Sequence, residues 1–364
     1  YPCKYINPKT NNGYLFKVTY FDKKINIDIF HTLTDGNNGS VFFREIVYNY
    51  LELAHPDDFK EEQRRYRKAE YTMEDGYIAN YDKKAKDKRS TQKAYCLKGR
   101  KISLGAVSVV HEIIDLKMLK TETKKYDCTV TQYLTAVLIY CVYTANFMNS
   151  KKSDSEKNVE NLGAEKVMNL KNPIKICVPV NLKRYFLSKT ISNFFSYITV
   201  SANQEIMLEN GILSFDKILS FVKNDFKIKL TQEEIQKTVS TNVRLGTNPF
   251  IKSIPLVLKK PIVRLSYSQI RKYTTMTFSN IGRIGIIGKY QKYIEHFLML
   301  MSPDPVEKIK CSACSFENEI VFTFTSILNN CDIEKGFYRF LKDRGINICI
   351  ESNGVLDVVS SKIK

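Results

Sequence analysis

Apolar and polar residues alternate with period two over residues 14–21 (YLFKVTYF) and again over 24–30 (KINIDIF). With Asp22-Lys23 between them, these runs predict a β-hairpin. The period then becomes that of a helix. Val41, Phe42, Ile46, Val47, Tyr50 and Leu51 share one face of a segment ending near Leu53. Residues 31–36, HTLTDG, join strand to helix, with 36–39 expected as a tight bend and Ser40 or Asn38 as the helix cap. Residues 55–98 are charged and lack a period, which predicts short helices or a loop. Residues 102–113 read as a strand and 115–125 as a charged helix. Residues 131–147, capped by Thr129, are apolar nearly all round and so predict a buried helix. The polar stretch 150–170 reads as a linker.

The second half repeats the alternation. Residues 175–182 predict a strand whose Pro179 marks a bulge or an edge. A turn and strand follow over 188–200, then a long amphipathic helical region over 215–241. Residues 248–263 contain three prolines and predict irregular or short helical structure. Residues 273–278 form a strand leading into Ser279-Asn280-Ile281-Gly282-Arg283. A hairpin over 308–316 and 319–327 turns at Glu317-Asn318. A helix over 332–343, capped by Asp332 and ended by Gly345, precedes a last strand at 347–351. Strand pairs alternating with helices, twice, predict an α/β chain with a soft boundary near residue 155.

Composition changes this picture little. An apolar content of 43% is that of a globular chain, long enough for one large domain or two ordinary ones. The net charge of +18 admits nucleic acid, a membrane surface or an acidic substrate. The basic residues are dispersed, with short runs at 83–89 and 151–152, and lack the arginine–aromatic interleaving of a nucleic-acid module, so no nucleic-acid partner is expected. Nine cysteines, several within apolar runs, read as small hydrophobes in a reducing, cytoplasmic protein without disulfides. The longest apolar stretch, 133–147, is too short and polar to be a transmembrane segment, and no signal peptide is evident. The first residue is Tyr, which reads as a trimmed start.

Candidate chemistry centres on His31. Imidazole takes a proton near neutral pH, and a strand end followed by a turn is a rigid place for a base. Asp35, four residues on, is placed to brace the turn through an ion pair or main-chain bonds. His55 reads as a helix-end residue and His111 as a structural one. Cys311 and Cys314 form a CxxC without a second ligand pair and within a strand, so they read as structural and no metal is expected. Neither a phosphate-binding glycine loop nor GxSxG is present. A histidine without a serine nucleophile fits activation of a substrate's own hydroxyl, amine or thiol. Such chemistry requires an acyl donor held opposite and an oxyanion donor, but no covalent intermediate and no permanently bound cofactor.

HTLTDG resembles the HxxxDG motif of the chloramphenicol acetyltransferase-like superfamily, which includes peptide-synthetase condensation domains, plant acyltransferases and alcohol acetyltransferases. Residues 127–144 (DCTVTQYLTAVLIYCVYT) are similar to the segment that opens its long buried helix. Residues 178–184 (VPVNLKR) resemble its VPVNLR stretch, 190–195 (TISNFF) its TxxNFF stretch, and 277–283 (TFSNIGR) the form seen in alcohol-acetyltransferase-like proteins. The matches cover most of residues 14–351. The resemblance implies two similar lobes of mixed sheets and helices around a central substrate tunnel. Residues 1–155 would carry the motif, and 156–364 would lend a strand and a loop across to them. It implies a catalytic motif of His31, Asp35 and Gly36, with His31 the general base and Asp35 holding the turn. Ser279 or Asn280 would contact the oxyanion or the acceptor, and Asn181, Arg184, Asn193, Gly282 and Arg283 would be structural.

The activity implied is transfer of an acetyl or other acyl group from an acyl-CoA co-substrate to a small alcohol or amine, by a monomer. A donor on an acyl carrier protein, or a degenerate binding module, are the alternatives. Phe30 stands where many relatives have a second His, and SNIGR where plant relatives carry DFGWG. Both departures point to the alcohol-acetyltransferase-like or lipid-modifying branch. In the family the motif's Asp pairs with an arginine from early in the polypeptide, and residues 1–30 contain none. That partner is therefore expected upstream of Tyr1, with the initial strand and helix of relatives, and Arg184 is the alternative.

Overall fold

A computed structural model describes Cys3 and residues 5–59, 72–85, 87, 92–103, 105–154 and 170–356. The chain begins with the expected hairpin, β1 (Phe16–Phe21) and β2 (Lys24–Ile29), in which Phe21 pairs with Lys24 across the two-residue turn. Asp22 takes the left-handed conformation such a turn demands, at φ 49°. Helix α1 (Gly36–Ala54) follows, then α2 (Pro56–Phe59), α3 (Gly76–Ala79), β3 (Ser108–Asp115), α4 (Leu116–Lys125) and α5 (Val130–Asp154). The second half holds β4 (Ile174–Asn181), β5 (Phe195–Ala202), α6 (Gln204–Met207), β6 (Leu208–Glu209), β7 (Ile212–Leu213), α7 (Phe215–Lys229) and α8 (Gln232–Thr247). It continues through α9 (Pro249–Ser253), α10 (Leu256–Ile270), β8 (Met276–Arg283), β9 (Ile309–Phe316), β10 (Glu319–Ser326), α11 (Asp332–Lys342) and β11 (Ile348–Ser352).

Seven strands form one mixed sheet in the order β11-β3-β10-β9-β8-β4-β5, parallel at β9/β8 and β8/β4 and antiparallel elsewhere. Helix α5 is fixed by a reciprocal cap. The Gln132 N–H donates to Thr129 Oγ1, and the Thr129 N–H donates to Gln132 Oε1. Its apolar residues from Tyr133 to Val142, apart from the half-buried Tyr140, are almost fully buried against the sheet, α7 and α11. The opposite face of β9 carries a second, smaller core. There Cys314 and Phe316 meet Val47, Tyr48 and Leu51 of α1 and the segment from Ile284 to Phe297.

Several expectations change. Helix α1 starts at Gly36, with Asp35 as its cap in place of Ser40 or Asn38, so 36–39 is the first helical turn rather than a bend. An aspartate at that position accepts the orphan N–H of Asn38, and the helix nucleates there. Cys331 precedes α11, and Asp332, expected as its cap, is its first residue. The helical region at 215–241 is two helices, with Thr231 capping the second. Within the stretch expected to be irregular or short helical, Pro249–Ser253 is a short helix, but Leu256–Ile270 is one continuous helix containing Pro261. Pro179 lies inside the sheet order, but β4 pairs with β8 only at Ile176 and Cys177, so at Pro179 the β8 side needs no N–H donor. The core runs unbroken across the boundary expected at 155/156, because β3, α4 and α5 pack with β4, β5 and α7. Residues 155–169 of the expected linker lie outside the described residues, as do parts of 83–89.

Two carboxylates inside the large core have no hydrogen-bond partner among the described residues: Glu112 of β3 and Glu334 of α11. Burial pushes the Glu334 carboxyl up to about 7, and burial with the nearby Glu334 charge raises Glu112 well above the usual range. A raised folded value means that the protonated form is stabilised by folding. This contribution is complete below about pH 4.5 and is lost as pH rises to about 7. Glu334→Gln, which cannot ionise, is therefore expected to raise stability at pH 8 by about 3 kcal/mol and to change it little at pH 4. Calorimetric melting at the two pH values measures the difference.

Candidate active site

The β2 strand delivers Phe30 and His31 to the start of α1. The loop before β5 closes over this turn. Asn193 holds His31 at two points, donating from Nδ2 to the His31 carbonyl at 2.6 Å and placing Oδ1 3.1 Å from the ring Nδ1. A carbonyl only accepts, so the amide must point its Oδ1 at the ring, and the ring nitrogen there must carry the hydrogen. The network therefore assigns the Nδ1–H tautomer and leaves Nε2 as an acceptor with no hydrogen-bond partner among the described residues. The His31 residue is exposed, and its ring lies 5.2 Å from the ring of Phe195.

Asp35 does two jobs with one carboxylate. Its Oδ1 accepts the Asn38 N–H at 3.0 Å, capping α1, and its Oδ2 accepts the main-chain N–H of Phe194 at 3.2 Å. Asn38 Nδ2 adds a weaker contact at 3.4 Å and reaches the Ser192 carbonyl at 3.3 Å. The turn and the Asn193 loop are thus tied through a buried charge. Lys183 donates to Asn38 Oδ1 at 2.8 Å, and its ammonium feels the Asp35 charge. Arg184, the alternative partner for Asp35, is exposed and makes no bond to it. Among the described residues the carboxylate is satisfied by main-chain and amide N–H groups and not by an arginine.

Gly36 faces the end of β8. A side chain there would come 3.4 Å from Ile281 and 3.6 Å from Met299. The resemblance had grouped Ser279 and Asn280 with this turn. Ser279 is buried in β8, pairing with Ser312 of β9. Asn280 spends its amide elsewhere, donating to Thr131 Oγ1 of α5 at 3.1 Å and accepting the Gly282 N–H at 2.9 Å. That second bond stabilises a bulge in which Gly282 sits at φ 79°, where a side chain is strained. Neither side chain is hydrogen-bonded to the His31 turn. Asn181 caps the turn after β4 by accepting the Lys183 N–H. Beside Asp35 a cleft of about 230 Å³ is bordered by Asn181 and Ile281 and by three cations, Arg44, Lys183 and Arg283.

His55, His111 and the CxxC stand apart from the His31 turn. His55 ends α1 and stacks on Tyr293 at 4.1 Å. His111 bonds Thr323 Oγ1 at 2.8 Å, and burial lowers it to about 4, so it stays neutral. Cys311 and Cys314 are three residues apart on a strand and so face opposite sides of the sheet, one in each core. They cannot share a metal ion.

Sequence reasoning gave Asn193 only a structural place and missed its contact with the His31 ring. It also missed Gly76. A Cβ there would lie 2.8 Å from the Phe194 ring, next to the N–H that Asp35 holds. Gly76→Ala is expected to cost about 1–3 kcal/mol of stability through overpacking and to slow any reaction that depends on His31 placement. Thermal melting and a turnover assay on the variant check both effects.

No protein-family model and no curated protein matches the chain. Solved structures align with much of the chain at low TM-scores. The epimerization domain from the third module of tyrocidine synthetase B aligns with a TM-score of 0.43 and 11% identity, over 88% of this chain and 68% of that one. The wax ester synthase/diacylglycerol acyltransferase of Marinobacter aquaeolei VT8 aligns at 0.40 and 13%, over 70% and 52%. F. graminearum TRI101, solved with coenzyme A and T-2 mycotoxin, aligns at 0.49 and 10%, over 85% and 63%. The chain spans roughly half to two thirds of the length of these proteins. At TM-scores below 0.5 the likeness carries no argument about activity.

Proposed function

We propose that the chain is an acyltransferase of the chloramphenicol acetyltransferase-like superfamily, nearest its alcohol acetyltransferase branch, and that it moves an acyl group from a CoA thioester to a hydroxyl. The observation that carries this reading is the Asn193 amide, which fixes the His31 tautomer with Nε2 free to accept a proton. His31 Nε2 takes the proton of the acceptor hydroxyl as its oxygen attacks the thioester carbon. The tetrahedral intermediate then collapses, the C–S bond breaks, and the imidazolium returns the proton to the leaving thiolate. Asp35 takes no part in proton transfer. It holds the turn and the Asn193 loop in register. Because the Asn280 amide is engaged by Thr131 and Gly282, Ser279 is the better candidate of the pair for the oxyanion donor. The three cations of the adjacent cleft suit the phosphates of a CoA donor.

The basic surface also supports a second reading, in which the donor is carried on an acidic carrier protein. One assay separates the two. Wild-type protein is given acetyl-CoA and a panel of small alcohols, and thiol release is followed. Release that depends on both substrates supports the first reading. Transfer only from a carrier-bound acyl group, abolished by salt, supports the second. No transfer from either donor overturns the proposal.

A further inference from the structure

Among the described residues, helix α10 lacks what other helices of this length have: a packed face. Its substantial packing contact is with the 3-10 turn that follows it, Arg271–Tyr273. Leu258, Pro261, Ile262 and Leu265 stand at i, i+3, i+4 and i+7, the spacing of a core-facing stripe. Yet Leu258, Ile262 and Leu265 are 58%, 52% and 65% exposed. Phe250 of α9 and Leu256, Val257 and Val263 of α10 are further exposed apolar side chains, at 85%, 65%, 81% and 57%. By helical spacing Lys260 lies opposite the stripe, and Lys259 and Arg264 lie on its two flanks. Residues 249–273 hold six basic residues and no acidic one.

We propose that α9 and α10 form a docking surface for an anionic lipid bilayer, with the Leu258–Leu265 stripe entering the headgroup–acyl boundary. The charge of the segment selects this occupant. An apolar stripe flanked by cations without a single carboxylate fits phosphate headgroups, each basic residue near such a surface raising partitioning about fivefold. A second copy of the chain is a poor occupant, because it brings the same +18 charge to the contact. The helix lies on the bilayer and does not cross it. Its 15 residues span about 22 Å, and no single helix among the described residues is long and apolar enough to traverse a membrane. The docked protein would then meet its substrates at a membrane surface, which favours acceptors that partition into lipid.

Sedimentation with vesicles tests the surface independently of acyl transfer. The wild type is expected to pellet with phosphatidylglycerol/phosphatidylcholine vesicles at 0.1 M salt, and to stay in solution with phosphatidylcholine alone. Leu258→Asp/Leu265→Asp and Lys259→Glu/Lys260→Glu are each expected to lower partitioning at least about tenfold with unchanged melting, since all four residues lie outside the cores. His31→Ala should pellet as the wild type does, which separates docking from catalysis. The proposal is overturned if the wild type ignores anionic vesicles or if both double variants bind as it does. It is equally overturned by a wild-type dimer in solution that Leu258→Asp/Leu265→Asp disperses, because the face would then belong to a second copy.

Discussion

Acyl transfer by His31→Ala is expected to fall about 10²–10⁴-fold, with melting unchanged. The size follows from removing a positioned general base. The unchanged melting follows from exposure, since the ring fills no part of either core and substitutions at such sites shift stability by less than about 0.5 kcal/mol. Asn193→Ala is expected to lose about 10²-fold, because the ring is then free to swing and to adopt the other tautomer. The double variant is the informative one. Asn193 acts through His31, so removing both should cost no more than removing His31 alone. Initial rates of thiol release for the four proteins at saturating acetyl-CoA give the comparison. Equal rates in wild type and His31→Ala would remove His31 from the mechanism, and fully additive losses would remove the link to Asn193.

Asp35→Ala is expected to destabilise the chain by about 2–4 kcal/mol. Two separate bonds make up the figure. Losing the cap of α1 costs about 1 kcal/mol. Leaving the Phe194 N–H without its acceptor costs a further ~1–3 kcal/mol, because Phe194 is fully buried. Asp35→Asn keeps one acceptor oxygen and should recover roughly half of the loss. Urea unfolding of the three proteins measures this. Activity should fall with stability in the alanine variant, since the same carboxylate joins the His31 turn to the Asn193 loop. A loss of less than about 0.5 kcal/mol would mean that water satisfies both N–H groups.

Interactions set within a few residues were legible in the sequence. The first hairpin follows from two alternating runs around a two-residue turn. The buried α5 follows from a Thr129 cap before an apolar run, and the strand at Cys311 and Cys314 from its own apolar pattern. HTLTDG was legible as a turn holding a base, because strand, turn and helix are contiguous there. Even so, the cap of α1 was misplaced by a few residues, since Asp35, Asn38 and Ser40 are all good caps and only the geometry of the strand's exit selects among them. What the sequence could not yield was each relation that depends on which strands become neighbours. Asn193 reaches His31 across 162 residues of chain, and Asp35 meets the Phe194 N–H across 159. Local periodicity carries no information about such pairings. The sheet order decides them, and with it the burial of Glu112 and Glu334, the tolerance of Pro179 within β4 and the exposure of α10. The α10 stripe has the pattern of a core helix, but the sheet was already covered by α5, α7 and α11, so the tertiary structure left that face to solvent.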